Sequence, residues 1–179
     1  MVHIWDKLDI EFSEPVRDPL WRNILLPASF SGIESSDDFI KLSRILQLGP
    51  AHLVYPGASH TRRAHSFGVF EMAKRIISAL ASRAGANSLI WSISRQEMLS
   101  YLAAALCHDL GHFPYTHSLK ELPLREHEEL TAAIVLGPLF EPVRKAGAEP
   151  ELAAAIVDEK RPCPKAFEPK VLGFFRSML

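Results

Sequence analysis

One stretch constrains the fold of this chain more than any other: Leu106-Cys107-His108-Asp109-Leu110-Gly111-His112-Phe113-Pro114-Tyr115-Thr116-His117. It follows a run in which Met98, Leu102, Ala105 and Leu106 recur at the spacing of a helix's inner face. Asp109 falls on that same face, with His108 on its edge. An ionised carboxylate at the end of a buried face is costly without a positive partner. The fold must therefore bring a counter-charge to this helix end, and a bound cation is the simplest candidate. Gly111 and Pro114 break the helix, so His112 and His117 are expected on a turn or a short following helix.

Helical patterns dominate the rest, and no run alternates cleanly enough for a central sheet. Ser35 or Ser36 can cap a helix with Asp37 and Asp38 in its first turn. Phe39, Leu42, Ile45 and Leu46 would continue it until Gly49-Pro50. After the Tyr55-Pro56-Gly57 turn comes a long helix on which Val69, Met72, Ile76 and Leu80 form one stripe. His65 lies on that stripe, and Arg62 sits one turn earlier on the same face. Ser94-Arg95-Gln96-Glu97 is a capping box. A later run from Arg125 would place Leu130, Ala133 and Ile134 inside, and Glu149-Pro150 starts another through Ala153 and Ile156. The stretch Val171 to Leu179 begins a last helix, whose Phe174, Phe175 and Leu179 are expected to lie uncovered and to favour a homo-oligomer. The expectation is an all-α fold: residues 1–34 as an irregular N-terminal arm with short extended pieces, and residues 35–179 as one helical domain.

Composition narrows the function classes. The chain has 179 residues, 47% hydrophobic and 23% charged, which is ordinary material for one globular domain. A net charge of -1 provides no global basic field for nucleic acid or an anionic membrane, leaving only a local basic site open. Cys107 and Cys163 make no disulfide framework. No segment has the makings of a signal peptide or reaches membrane-spanning length, and a reducing cytoplasm fits these features.

His65, His108 and Asp109 offer two nitrogens and a carboxylate. That set suits Mn²⁺, Fe²⁺, Ni²⁺ or Zn²⁺ better than Mg²⁺ held by oxygens alone. A second reading stays open: helix-end polar residues bonded to one another, with His65 a core histidine on a backbone carbonyl.

The stretch His60-Thr61-Arg62-Arg63-Ala64-His65-Ser66-Phe67-Gly68-Val69, taken with Cys107-His108-Asp109-Leu110-Gly111-His112, resembles the HD superfamily of metal-dependent phosphohydrolases. More narrowly, the chain is similar to the deoxynucleotide triphosphate triphosphohydrolase branch. It shares Asp18-Pro19-Leu20-Trp21, Arg44-Ile45-Leu46-Gln47-Leu48-Gly49, Tyr55-Pro56-Gly57-Ala58-Ser59-His60, Pro114-Tyr115-Thr116-His117 and His127-Glu128. The resemblance runs from about residue 15 to residue 179 and implies an HD-domain helical bundle.

It also implies roles. His65, His108 and Asp109 would hold the metal, and Mg²⁺ could accompany a nucleotide. His112 and His127 would lie near the transferring phosphorus, with Glu128 orienting one of them. His117 would contact phosphate, Arg62 would clamp the α-phosphate, and Gln47 and Leu48 would touch the nucleoside. The implied reaction is water attack at the α-phosphorus of a dNTP, giving deoxynucleoside and tripolyphosphate. Two features depart from the pattern: Arg63 stands where the branch has an aromatic, and the chain stops before a last aspartate ligand, with Asp158 the only late aspartate. The alternative expectation is therefore a truncated or non-catalytic module that binds metal or nucleotide, or serves as an oligomer partner.

Overall fold

The structure is a computed structural model that describes residues 3–114 and 125–179. In chain order its elements are α1 (Ile4–Lys7), β1 (Glu14–Asp18), β2 (Arg22–Leu26), α2 (Ser31–Glu34), α3 (Asp37–Lys41), α4 (Arg62–Arg83), α5 (Arg95–Cys107), α6 (His127–Leu136), α7 (Phe140–Lys145), α8 (Pro150–Val157) and α9 (Pro169–Arg176). The architecture is helical, and the strands form one small antiparallel hairpin pairing Glu14 with Leu26 and Asp18 with Arg22.

Helix α5 is the axis. The capping box forms as its sequence predicts: Ser94 Oγ accepts from Glu97 N at 3.2 Å, and Glu97 Oε2 accepts from Ser94 N at 2.8 Å. Every residue from Met98 to Cys107 is buried, because α4 and α8 both pack against this helix and α6 covers α8 in turn. A helix apolar all round has no solvent face to offer, so its end at His108 is necessarily an interior site.

Helix α4 begins at Thr61, whose Oγ1 accepts from Ala64 N at 3.3 Å. It buries Phe67, Phe70, Ala73, Ile77 and Ala81. The stripe expected to face the core does not do so: Met72 is 42% and Leu80 is 40% exposed, while Val69 and Ile76 are only half-buried. The helix is apolar on two sides, and the aromatic side meets the core. Phe67 packs edge-on against Phe39, and Phe70 against Phe30.

The segment before residue 35 is well attached. Ile4, Trp5, Leu8, Ile10, Ile24, Leu26 and Phe30 belong to the same hydrophobic cluster as α5. Asp18 Oδ1 accepts from Leu20 N and Trp21 N, which closes the hairpin turn.

Three other expectations change. The helix foreseen through Leu46 ends at Lys41, followed by a 3₁₀ turn over Leu42–Arg44. Ile45 is then extended, and Leu46 bridges to Thr61, tying this strand-like piece to the start of α4. In α6 the buried residues are Thr131, Ala132 and Val135, not Ala133. Its facing is set by contact with the turn after α5, described below. Finally, Phe175 is fully buried and stacks on Tyr101 of α5 with ring centroids 4.8 Å apart and Phe174 is half-buried, whereas Leu179 stays 40% exposed as expected. Among the described residues no helix is long and apolar enough to cross a membrane.

Candidate metal centre

Three segments converge on the end of α5. The first turn of α4 supplies Arg62 and His65. The C-cap of α5 and the turn after it supply His108, Asp109 and His112. The first turn of α6 supplies His127 and Glu128. The turn is held by backbone bonds, Leu110 N to Cys107 O and His112 N to Asp109 O, both 3.0 Å. Thr131, buried in α6, ties it down: its Oγ1 accepts from Gly111 N at 2.8 Å and donates to His108 O at 3.0 Å. Gly111 is required here by close approach, since a Cβ at this position would stand 2.1 Å from the His127 carbonyl oxygen.

The expected ligands meet. His65 Nε2 and His108 Nε2 lie 3.3 Å apart, although one sits on α4 and the other caps α5. His108 Nδ1 is 3.0 Å from the Ala105 carbonyl, so that nitrogen carries the proton and Nε2 presents its lone pair. Ligand atoms of His65, His108 and Asp109 all fall within 4.8 Å of one another, and those of Asp109, His112 and His127 form a second such group sharing Asp109. Burial lowers the pKa of His65, with help from the neighbouring His108, and burial likewise lowers that of His108. Both rings are therefore held in the neutral form that a metal ion needs. The donor set fits a divalent transition ion.

Asp109 is 4% exposed, and its surroundings answer the question its sequence position raises. Burial by itself pushes its carboxyl up, but the hydrogen bond from His112 and the nearby His108 and Arg62 bring it well below the ordinary 3.8. The shortest of these contacts is with Arg62, whose Nη1 donates to Asp109 Oδ2 at 2.7 Å. His112 Nδ1 lies 3.1 Å from Oδ1. The counter-charge expected at this helix end is thus supplied in part by the chain itself.

The remaining site residues are placed as follows. The His112 and His127 rings are 3.8 Å apart, centroid to centroid, and His127 Nε2 is 3.1 Å from Glu128 Oε1. Gln47 donates its backbone N–H to His60 O at 3.0 Å, while its side-chain Oε1 is buried without a partner among the described residues. Leu48 is 52% exposed. His117 lies outside the described residues. Asp158 is 5% exposed at the end of α8, accepting from Lys160 N at 3.1 Å with Arg161 Nε 3.4 Å away. Arg63 lays its guanidinium 5.6 Å and 5.4 Å from the ring centroids of Phe39 and Phe67, so at this departure from the branch pattern a cation covers the aromatic core. A cavity of about 860 Å³ opens beside His65, walled by Trp21, His60, Thr61, Val69, Met72 and Ile76. The half-buried stripe of α4 therefore lines a cavity. The residue the sequence did not single out is Thr131, since a threonine inside a helix carries no local signal of a bond made 20 residues away.

A helical bundle with paired histidine and aspartate at the end of its central helix defines a class of metal-binding domain, and the comparisons identify it. The sequence model of the HD domain matches residues 62–161, and the chain belongs to the HD domain family. It is 40% identical over 100 residues to the uncharacterized protein YwfO of Bacillus subtilis, covering 56% of this chain and 22% of that one. It is 38% identical over 120 residues to the deoxynucleoside triphosphate triphosphohydrolase SAMHD1 of Danio rerio, covering 65% of this chain and 19% of that one. The crystal structure of a phosphohydrolase from Bacteroides thetaiotaomicron superposes with a TM-score of 0.69 at 29% identity, over 84% of this chain and 36% of that one. The chain thus spans well under half the length of these relatives.

Proposed function

We propose that the chain is the catalytic HD portion of a phosphohydrolase that converts a dNTP to deoxynucleoside and tripolyphosphate. One observation carries this reading: the 3.3 Å approach of His65 Nε2 to His108 Nε2 beside Asp109, a donor from α4 brought to the two donors at the end of α5. His65, His108 and Asp109 would hold a divalent transition ion, which supplies Lewis acidity at the phosphoryl group. Hydrolysis adds water oxygen to the α-phosphorus and breaks its bond to the 5′-oxygen, which leaves with a proton. His112 and His127 are the groups near enough to one another to pass that proton, and Glu128 orients His127. Arg62 would neutralise phosphate charge, and Gln47, whose buried Oε1 has no partner among the described residues, would meet a donor on the nucleoside. His117 would add a phosphate contact. The activity of the Danio rerio relative, a deoxynucleoside triphosphate triphosphohydrolase, supports the substrate class.

A second reading, binding of metal or nucleotide without turnover, is favoured by a specific observation. The His65 group holds a single carboxylate, and Asp158 is engaged with Arg161 and Lys160 instead of joining it. Elemental analysis of the purified chain and of His108→Ala, with a tripolyphosphate release assay across the four dNTPs, separates the readings. Metal in the parent, loss in the variant and release of tripolyphosphate are the expected results. Bound metal without release selects the second reading, and a parent that takes up no metal overturns the catalytic reading.

A further inference from the structure

Arg62 and Asp109 form the most deeply buried arginine–carboxylate or lysine–carboxylate pair among the described residues, with side chains 4% and 5% exposed. The pair sits inside the candidate metal centre. Oδ2 of Asp109, which accepts from Arg62 Nη1 at 2.7 Å, is also the oxygen facing His65 Nε2 at 3.8 Å. The other oxygen, Oδ1, lies 3.4 Å from His108 Nε2 and 3.1 Å from His112 Nδ1, so both carboxylate oxygens are already engaged and an ion between the two imidazoles must share one of them.

Charge counting shows the conflict. With neutral imidazoles, Arg62 and Asp109 cancel and the buried centre carries no net charge. A divalent ion brings two further positive charges into the same low-dielectric space, a few ångströms from a guanidinium that cannot lose its proton. The centre then holds more positive charge than one carboxylate balances. Among the described residues Arg62 Nε is buried without a hydrogen-bond partner, and the contact at Nη1 is what retains the group on Asp109. An incoming phosphate would restore the balance and offer the guanidinium a two-point acceptor.

We propose that Arg62 is an internal counter-ion of Asp109 that a divalent metal displaces, which frees the guanidinium for the phosphate contact already proposed for it. The inference rests on the metal reading of His65, His108 and Asp109. It makes metal and phosphate binding mutually reinforcing, with Arg62 as the coupling element. It also makes Arg62 a competitor of the metal, the opposite of a residue that merely props up a ligand.

The test is Co²⁺ titration followed by visible absorption, on the parent, Arg62→Ala, Arg62→Lys and His108→Ala, with and without inorganic phosphate. Arg62→Ala is expected to bind Co²⁺ at least about tenfold more tightly than the parent, because no guanidinium has to be moved off the ligand. Arg62→Lys, which keeps the charge, should stay near the parent. Phosphate should tighten Co²⁺ binding in the parent and lose that effect in Arg62→Ala. Unchanged or weaker Co²⁺ binding in Arg62→Ala overturns the proposal while leaving the metal reading intact. No Co²⁺ uptake by either the parent or Arg62→Ala removes both. Should Arg62→Ala fail to fold, ¹⁵N spectra of the parent decide: the Arg62 guanidinium signals, held by the ion pair, should shift and broaden on adding Zn²⁺. Signals that stay in place through saturation would overturn the proposal.

Discussion

Gly111→Ala probes how the centre is assembled. A Cβ at residue 111 would stand 2.1 Å from His127 O, 2.7 Å from Thr131 N and 2.8 Å from Leu130 Cβ. Two of these are backbone atoms of α6, so no side-chain rotation relieves the clash. Carbon contacts are comfortable at about 3.5–4.0 Å, and α6 must therefore retreat by on the order of 1 Å. The retreat breaks the bond from Gly111 N to Thr131 Oγ1 and leaves a buried donor unmet, at about 1–3 kcal/mol. Forcing a methyl into a filled space costs about 1–3 kcal/mol by itself. Allowing for overlap between the two effects, a loss of about 2–4 kcal/mol is expected. Urea unfolding followed by circular dichroism should show the midpoint falling with an unchanged slope. Gly173→Ala is the control: it lies within α9 with nothing inside 4 Å, and should gain about 0.5–1 kcal/mol. A Gly111→Ala protein within about 0.5 kcal/mol of the parent, the scatter of ordinary surface changes, would refute the backbone-on-backbone docking of α6.

The other predictions concern titration, thiols and capping. Burial lowers the pKa of His65 and His108 below 6.5, so the unfolded chain binds protons that the folded one resists. The stability of the metal-free protein should be full above pH 6.5 and fall as pH drops below it, with Asp109 adding a further loss below its ordinary 3.8. Denaturation midpoints from pH 7.5 to 5 should show this and be flatter in His108→Ala; a flat parent profile contradicts it. Burial pushes the Cys107 thiol up to about 12, so a thiol reagent at pH 8 should label Cys163 alone until the protein unfolds. Rapid labelling of both cysteines in the native state would count against the buried α5. Ser94→Ala should cost about 1 kcal/mol by removing the cap of α5, and no change in the urea midpoint would mean the box adds nothing.

Much of the centre was legible before the fold because its chemistry is local. The capping box at Ser94, the apolar run to Cys107 and the breakers Gly111 and Pro114 mark where α5 starts and ends. An apolar face ending in His108-Asp109 then signals an interior polar site; His65, on a distant helix, was a candidate donor from its residue type, and the resemblance implied its role. The facing of α4 and α6 was less legible. Both helices carry apolar residues on more than one side, and periodicity reveals a stripe without saying what lies opposite. Phe67 and Phe70 of α4 outcompeted Met72 and Leu80 for the core because Phe39 and Phe30 stood ready to pack with them.

By itself the sequence determined a helical chain with a central buried helix, and donor types suited to a transition ion at that helix's end. These follow from composition and spacing within single helices, where hydrogen bonds and apolar contacts lie a few residues apart. Tertiary structure alone decided the 3.3 Å meeting of His65 with His108, the seat of α6 on Gly111, and the choice of Arg62 as the partner of Asp109. Each joins residues far apart in the chain. A buried charge takes whichever opposite charge the packing delivers, and that packing is settled by the whole core rather than by any segment's own pattern.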